Sequence, residues 1–157
     1  QHYVNHGYSE SRSTDSFDNW GYLASNKDLL NHYGNDTVAV TQHYVNHGYS
    51  ESRSTDSFDD WGYLASNKDL LNYFGNDTVA ATQHYVNYGY SESRSTDSFD
   101  DWGYLASNKD LLNYFGNDTV AATQHYVNYG YSESRGQYRG WTLLGGSGCL
   151  RSFSGVL

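Results

Sequence analysis

One stretch of 41 residues recurs along the chain, and this repetition constrains the fold more than any other feature. Successive copies open at Gln1, Gln42, Gln83 and Gln124, and the last copy stops at Arg135. The second and third copies differ at one position, and the first and second differ at four. A fixed period of this length predicts an array of units that stack on their neighbours. Near-identical copies disfavour a single asymmetric active site, so we expect no catalytic residues and no enzyme activity.

The charge of the chain is acidic and evenly spread over the copies. The three complete copies carry −3, −4 and −4, residues 124–157 carry +2, and the net charge is −9. Binding nucleic acid through its phosphates needs clustered Lys and Arg, which this distribution does not offer. No apolar run approaches the ~20 residues of a membrane-spanning helix. We therefore expect no nucleic-acid partner, no membrane span, and a partner that is neutral or cationic.

The two ends of the sequence and its one cysteine bear on where the chain comes from. There is no methionine, and the sequence starts at Gln1 directly within the repeated region, so we expect a piece of a longer chain or a processed one. Cys149 is the single cysteine, so the array uses no disulfides, which suits either redox compartment. After Arg135 the sequence becomes glycine-rich and contains no acidic residue. We expect a repeat array over 1–135, with units 1–41, 42–82, 83–123 and a partial 124–135. Residues 136–157 are expected to be a flexible tail, or a product of how the reading frame ended.

The first part of a repeat predicts a short helix. Ser57 and Asp60 stand three residues apart and are a candidate capping pair. The helix is expected to run to about Ser66, because apolar residues follow at helical spacing: Phe58, Trp61, Leu64 and Ala65.

Two further helices are expected in the same repeat. Asn67 is a candidate cap for the second, and Gly75 would end it. Asn76 or Asp77 would cap the third, over 78–88, and Gly89 would end that one. The expected buried faces are Leu70, Leu71 and Phe74 in the second helix and Ala81, Tyr85 and Tyr88 in the third.

The segment HYVNYGYS also allows a β interpretation, because aromatic and polar residues nearly alternate in it. The helix caps and glycine stops at both ends favour helices, so the predicted fold is all-α, with short helices stacked as a solenoid. Each helix is shorter than the ~12–15 residues that hold alone in water. Contact between units must therefore decide whether the chain folds, and the candidate packing residues are Phe58, Trp61, Leu64, Leu70, Leu71, Phe74 and Tyr85.

The repeat resembles a bacterial tandem repeat with the pattern FD, YLASN, DL, FG, an alanine pair, HY and a G-x-x-E-G-R ending. These motifs fall in order between Phe58 and Arg94, a stretch that crosses from the second copy into the third, and the match covers residues 1–135. Ser93 stands where the pattern has glycine, and so do Ser11, Ser52 and Ser134. The resemblance implies an accessory array in a large, often secreted protein, and it supplies no catalytic residues.

Two groups of side chains have the composition of metal sites. His43 and His47 lie four residues apart, as do His2 and His6, and a helix would place each pair on one face as zinc requires. Later copies replace the second histidine with Tyr88 and Tyr129, which favours a structural role for the shared histidine. Asp56, Asp59 and Asp60 could collect calcium. Acidic residues at helix starts also offset the helix dipole, and the spacing is not that of a helix-loop-helix calcium site. We predict no metal and no cofactor.

The segments beginning at Asn35, Asn76 and Asn117 are N-x-T glycosylation acceptor sequences. Each of them also fits plain helix capping. The 17 tyrosines are too many for the interior of a thin helical stack. Exposed tyrosines favour contacts with sugar or protein, although packing between units explains those such as Tyr63 and Tyr85.

Three classes of function can be weighed against these features. The first is a structural and interaction segment of a secreted or surface protein, which self-associates head to tail into filaments or binds another protein. The alternative is a glycan- or calcium-binding accessory module. An enzyme is disfavoured, because no nucleophile or acid-base set stands out.

Overall fold

A computed structural model of the protein describes residues 17–136. Over this range the fold is all-α, without a strand, so the predicted helical array is confirmed and the β interpretation of HYVNYGYS is wrong. Nine α-helices of seven residues each are followed, after every third one, by a π-helical turn. The elements are α1 (Asn19–Ser25), α2 (Lys27–Tyr33), α3 (Thr37–His43), π1 (Tyr44–Gly48), α4 (Asp60–Ser66), α5 (Lys68–Phe74), α6 (Thr78–His84), π2 (Tyr85–Gly89), α7 (Asp101–Ser107), α8 (Lys109–Phe115), α9 (Thr119–His125) and π3 (Tyr126–Gly130).

The structural unit starts at the phenylalanine of each copy. We call 17–57 unit 1, 58–98 unit 2 and 99–136 unit 3. Each unit holds three helices, a π turn and a connector that leads into the next unit. The copies that open at Gln42, Gln83 and Gln124 therefore begin inside a third helix. The first two of them span two structural units, and the partial copy 124–135 lies within unit 3.

The first helix of each unit is capped by an aspartate. In unit 2 the Asp59 carboxylate accepts a hydrogen bond from the Gly62 amide at 2.8 Å. The predicted Ser57–Asp60 capping pair is therefore wrong, because Asp60 is already the first helical residue. Phe58 also lies before the helix and not on its face. A Cβ at position 62 would overlap the Asp59 carboxylate, so the close approach requires glycine.

The second helix follows the first without a loop. Asn67 occupies the position between them, but its side chain does not cap the second helix. Its Nδ2 instead donates to the carbonyls of Tyr63 and Ser95, both at 2.8 Å. Asn67 therefore ties the first helix to the connector at the end of its own unit. Gly75 ends the second helix with a φ of 61°, as predicted.

The third helix is capped by Asp77, whose side chain accepts a hydrogen bond from the Ala80 amide. After His84 it widens into the π turn, and the Tyr90 amide bonds the Tyr85 carbonyl five residues back. Tyr85 is buried, but Tyr88 is 59% exposed. The predicted buried stripe therefore ends one turn early, because the wider π turn rotates Tyr88 towards solvent.

A serine in the left-handed conformation closes each unit. The Arg94 amide bonds the Gly89 carbonyl and the Ser93 amide bonds the Tyr90 carbonyl, which together form a Schellman motif. Ser93 has a φ of 54°, and Ser52 and Ser134 have nearly the same value. Glycine adopts this conformation without strain, which gives a physical reason for glycine at this position in the resembling pattern.

The core of each unit is aromatic and aliphatic. Tyr63 and Leu64 are fully buried, and the Phe58 ring stacks on Tyr85 with the centroids 4.4 Å apart. At the edge of this core Arg94 contacts the carboxylates of Glu92 and Asp69, which joins the connector to the second helix. Among residues 17–136, no helix is both long enough and apolar enough to cross a membrane.

Candidate assembly interface

The two junctions between units are formed by the same elements. In the first, α6 and π2 of unit 2 pack against α1 of unit 1, and in the second, α9 and π3 of unit 3 pack against α4 of unit 2. Val86 in π2 and Leu30 in α2 of the preceding unit line one shallow depression at the junction. Both side chains are buried, so the junction has an apolar centre.

The described array ends in two surfaces that are the uncovered halves of such a junction. On the side of unit 1, Val45 is 72% exposed, whereas its counterpart Val86 is only 6% exposed. On the side of unit 3, Leu112 is 43% exposed, whereas its counterpart Leu71 is 4% exposed. We call the surface around Val45 the N-terminal face and the surface around Leu112 the C-terminal face.

Other residues change their environment in the same way at the C-terminal face. Trp102 and Ala106 are exposed, although the corresponding tryptophans are partly buried and the corresponding alanines are buried in the earlier units. Ser66 Oγ accepts hydrogen bonds from the amides of Ser98 and Phe99. Ser107, its counterpart, instead donates to the Gly103 carbonyl within its own helix. The change follows from the position in the array, because the residue types are the same.

A pair of asparagines adds a directional hydrogen bond to each junction. The Asn35 side-chain nitrogen lies 2.7 Å from Asn87 Oδ1, and Asn76 lies 2.8 Å from Asn128 Oδ1 in the same way. The Asn87 amide group is oriented by its own bond to the Gln83 carbonyl. The junction therefore has a defined register as well as an apolar centre.

The residues expected to pack between units fall into two groups. Leu71 and Tyr85 are buried, and their counterparts Leu112 and Tyr44 become exposed or partly exposed at the ends of the described array. Trp61 is partly buried and behaves like Leu71. The second group is Leu64, Leu70 and Phe74. Their burial or partial burial does not depend on a following unit, because the corresponding residues of unit 3 are equally covered. Phe58 stacks on Tyr85 within its own unit.

The candidate glycosylation residues Asn35, Asn76 and Asn117 all lie on the surface. In Asn35 and Asn76 the nitrogen that would carry a glycan is the donor of the hydrogen bond across the junction. Asn117 is the corresponding residue of unit 3 and belongs to the C-terminal face. A glycan at the first two positions would therefore compete with stacking of the units.

The candidate metal ligands are used in other ways. The His43 Nδ1 atom lies 3.2 Å from the Tyr22 hydroxyl, and Asp59 is a helix cap. Within residues 17–136 no three His, Cys, Asp or Glu side chains are grouped so that they could hold a metal ion. His2, His6 and Cys149 lie outside the described residues, and so does Ser11.

The tyrosines divide between core and surface. Tyr22, Tyr63 and Tyr104 are fully buried, and each hydroxyl lies 3.0–3.2 Å from the Nδ1 atom of a histidine in its own unit. Burial raises the pKa of these hydroxyls, that of Tyr104 to about 12. Tyr73 and Tyr114 are more than four-fifths exposed. The tyrosine–histidine pairs were not predicted from the sequence. Their constant spacing of 21 residues is no signal, because every pair of positions in a tandem repeat recurs at a constant spacing.

Comparison of the chain with protein-family models, with curated proteins and with solved structures finds no match. The junctions and the two end faces therefore carry the functional interpretation alone.

Proposed function

We propose that the chain is a non-catalytic structural segment of a secreted or surface protein, and that its copies assemble head to tail. The observation that carries this proposal is the exposure of Val45 and Leu112, whose counterparts are buried at the internal junctions. One copy's N-terminal face offers the surface that unit 2 and unit 3 offer at the internal junctions. Another copy's C-terminal face offers the surface that receives it.

The same contacts set the polarity of the assembly. A second copy placed after the first would bring its Val45 against Leu112 and its Asn46 within reach of Asn117. At the internal junctions Val86 adjoins Leu30 in the same way, and Asn76 donates to Asn128. Because the two faces are different, the contact is heterologous and leaves a free face at each end. Such a contact extends into an open filament unless the rotation closes a ring. Full burial of one aliphatic side chain contributes about 1.5–3 kcal/mol, so several such residues are needed to offset the entropy of association.

Sedimentation velocity of the complete chain over a concentration series tests the proposal. We expect species larger than a monomer at high concentration, and their loss in Val45→Asp and in Leu112→Asp, because each change places a charge in one half of the contact. A Tyr114→Asp variant is the matched control, since Tyr114 is 82% exposed and its counterpart Tyr73 in unit 2 is equally exposed. This variant should assemble like the original chain.

Mixing the two blocked variants gives the sharper result. Val45→Asp retains its C-terminal face and Leu112→Asp retains its N-terminal face, so the mixture should form dimers and nothing larger. A wild-type chain that stays monomeric at every concentration would contradict the proposal. Equal loss of assembly in Tyr114→Asp would show non-specific association instead.

The alternative of a glycan- or calcium-binding module stays a prediction. Exposed Tyr73 and Tyr114 recur at the repeat spacing and suit contact with sugars, but no further contact singles out that function.

A further inference from the structure

A half-open groove of about 580 Å³ crosses all three units. Lys27 of unit 1, Phe58, Asp59, Trp61 and Asp97 of unit 2, and Asp101 of unit 3 line it. Its size lies within the range of ligand-binding clefts. Because residues from three consecutive units form its walls, the groove exists only when the units are stacked.

The groove repeats along the array. A smaller depression is lined by Trp20, Asp18, Asp56 and Asp60, and these residues precede Trp61, Asp59, Asp97 and Asp101 by one repeat. One tryptophan and three aspartates thus occur twice within residues 17–136, one repeat apart. Such a surface suits an extended chain better than a compact ligand.

The groove is acidic, and its negative charge is poorly compensated. Three aspartates line it, of which Asp59 also accepts the hydrogen bond from the Gly62 amide, and Lys27 is the one basic residue in its lining. The arginines of residues 17–136 do not compensate it, because each of them is paired with two carboxylates elsewhere, as Arg94 is with Glu92 and Asp69. Burial, with the nearby charges of Asp59 and Asp56, raises the pKa of Asp60 in the smaller depression.

We propose that this groove is the docking site of an extended basic segment, and that its occupant is the chain's own residues 137–157. That segment contains Arg139 and Arg151 and no acidic residue. The described chain leaves the array at Gly136, the counterpart of Ser95, which precedes Thr96 and Asp97 of the groove lining. The exit point therefore lies one repeat beyond this part of the groove, and the segment would run back along the array to occupy it. The Gly136 carbonyl accepts a hydrogen bond from Asn108 Nδ2 at 3.1 Å, so this exit point is fixed.

The lining offers what an arginine side chain needs. A guanidinium group can stack on the Trp61 ring and donate to a neighbouring carboxylate such as Asp97. The aliphatic part of the side chain can lie on Phe58 or Val120. Arg139 and Arg151 follow Gly136 by three and 15 residues. An extended segment therefore spans at most about 11 Å to the first and about 54 Å to the second. The proposal does not depend on head-to-tail assembly, because the segment and the groove belong to one molecule.

The single cysteine makes the proposal testable in the complete chain. A nitroxide label on Cys149 should broaden the NMR signals of groove residues, including the Trp61 indole and the Asp97 and Asp101 amides. The Val45→Asp background prevents assembly from obscuring these signals. The effect should weaken from low salt to about 0.5 M salt, where the Debye length falls to a few Å.

Matched variants separate docking from proximity. Replacing both arginines, as Arg139→Ser and Arg151→Ser, should abolish the broadening, whereas Ser152→Ala with Ser154→Ala should leave it unchanged. Broadening that is absent, that spreads evenly over the array or that centres on Leu112 would overturn the proposal. Mixing labelled chains with isotope-enriched Cys149→Ser chains should give no broadening, and broadening seen only in that mixture would overturn docking within one molecule.

Discussion

The Tyr63 hydroxyl lies 3.0 Å from Nδ1 of His84, and the same pair recurs in each described unit. The Tyr63 side chain is fully buried, so this histidine is the partner that satisfies its hydroxyl. Gly89 passes directly over the hydroxyl, and a Cβ at that position would overlap it. The pair joins the first helix to the third helix, and the π turn lets the backbone cross at Gly89.

The substitution Tyr63→Phe removes this hydrogen bond and leaves His84 Nδ1 without its partner. We expect a loss of about 1 kcal/mol in the free energy of unfolding, a typical value for one buried hydrogen bond. Urea unfolding followed by circular dichroism measures it. Tyr73→Phe is the control, because Tyr73 is 83% exposed and should change stability little. Equal effects of the two substitutions would assign no role to the pair.

The histidines should make stability depend on pH. Burial, aided by the charge of Arg94, lowers the pKa of His84, and burial with Arg135 lowers that of His125. The unfolded chain, with histidine pKa values of about 6.5, then binds more protons than the folded chain at mildly acidic pH. Stability should therefore fall as the pH decreases through about 6.5, and the loss should level off below the folded pKa values.

Melting temperatures between about pH 8 and pH 5 measure this dependence, in a range where most carboxylates stay ionised. The double variant His84→Gln and His125→Gln should show a smaller slope than the original chain. Asp69 and Asp110 have pKa values lowered first by their hydrogen bonds to Arg94 and Arg135, and their contribution is lost only at more acidic pH. A slope that is unchanged in the double variant would contradict the role given to the histidines.

Replacing a serine in the left-handed conformation with glycine should increase the stability of the chain. Ser93 has a φ of 54°, a conformation that strains residues with a Cβ by about 1–2 kcal/mol. The gain from Ser93→Gly is partly offset by the greater freedom of glycine in the unfolded chain, so we expect about 0.5–1 kcal/mol of added stability. Ser98→Gly is the control, since Ser98 is an exposed connector residue without a positive φ, and it should destabilise or leave stability unchanged.

Leu71 and Leu112 occupy the same position of the repeat, so substituting each of them measures how much the contact between units contributes to stability. Leu71→Ala should destabilise by about 2–4 kcal/mol, because Leu71 is 4% exposed at the junction with unit 3. Leu112→Ala should cost clearly less, because Leu112 is 43% exposed at the C-terminal face. The measurement is chemical denaturation at a concentration where the chain is monomeric. Equal losses would mean that the junction does not provide the burial of Leu71.

Much of the fold could be predicted from the periodicity of the sequence and from its helix-stop signals. The 41-residue repeat predicted the array, and Gly75 ends the second helix where expected. The first helix start was misplaced, because both Asp59 and Ser57 are good capping residues and only the geometry with Gly62 selects between them. Asn67 likewise has the composition of a cap but serves as a cross-link between segments 28 residues apart.

Other features could not be predicted from one copy of the repeat. The π turn has no composition of its own, and the approach of its Gly89 to the Tyr63 hydroxyl is a tertiary contact that the local sequence does not reveal. The exposure of the residues at the two end faces could not be predicted from the local sequence either. Leu71 and Leu112 stand in the same local sequence, and only the position of their units distinguishes a covered side chain from an exposed one.

The stability of chains with one, two, three and four copies of the unit tests the central claim most directly, since that claim is that each unit is completed by its neighbour. Thermal and urea unfolding should show no cooperative transition for one unit and a midpoint that rises with each added unit, because every addition creates one more junction. A single unit that melts cooperatively, at the same midpoint as the longer chains, would contradict it.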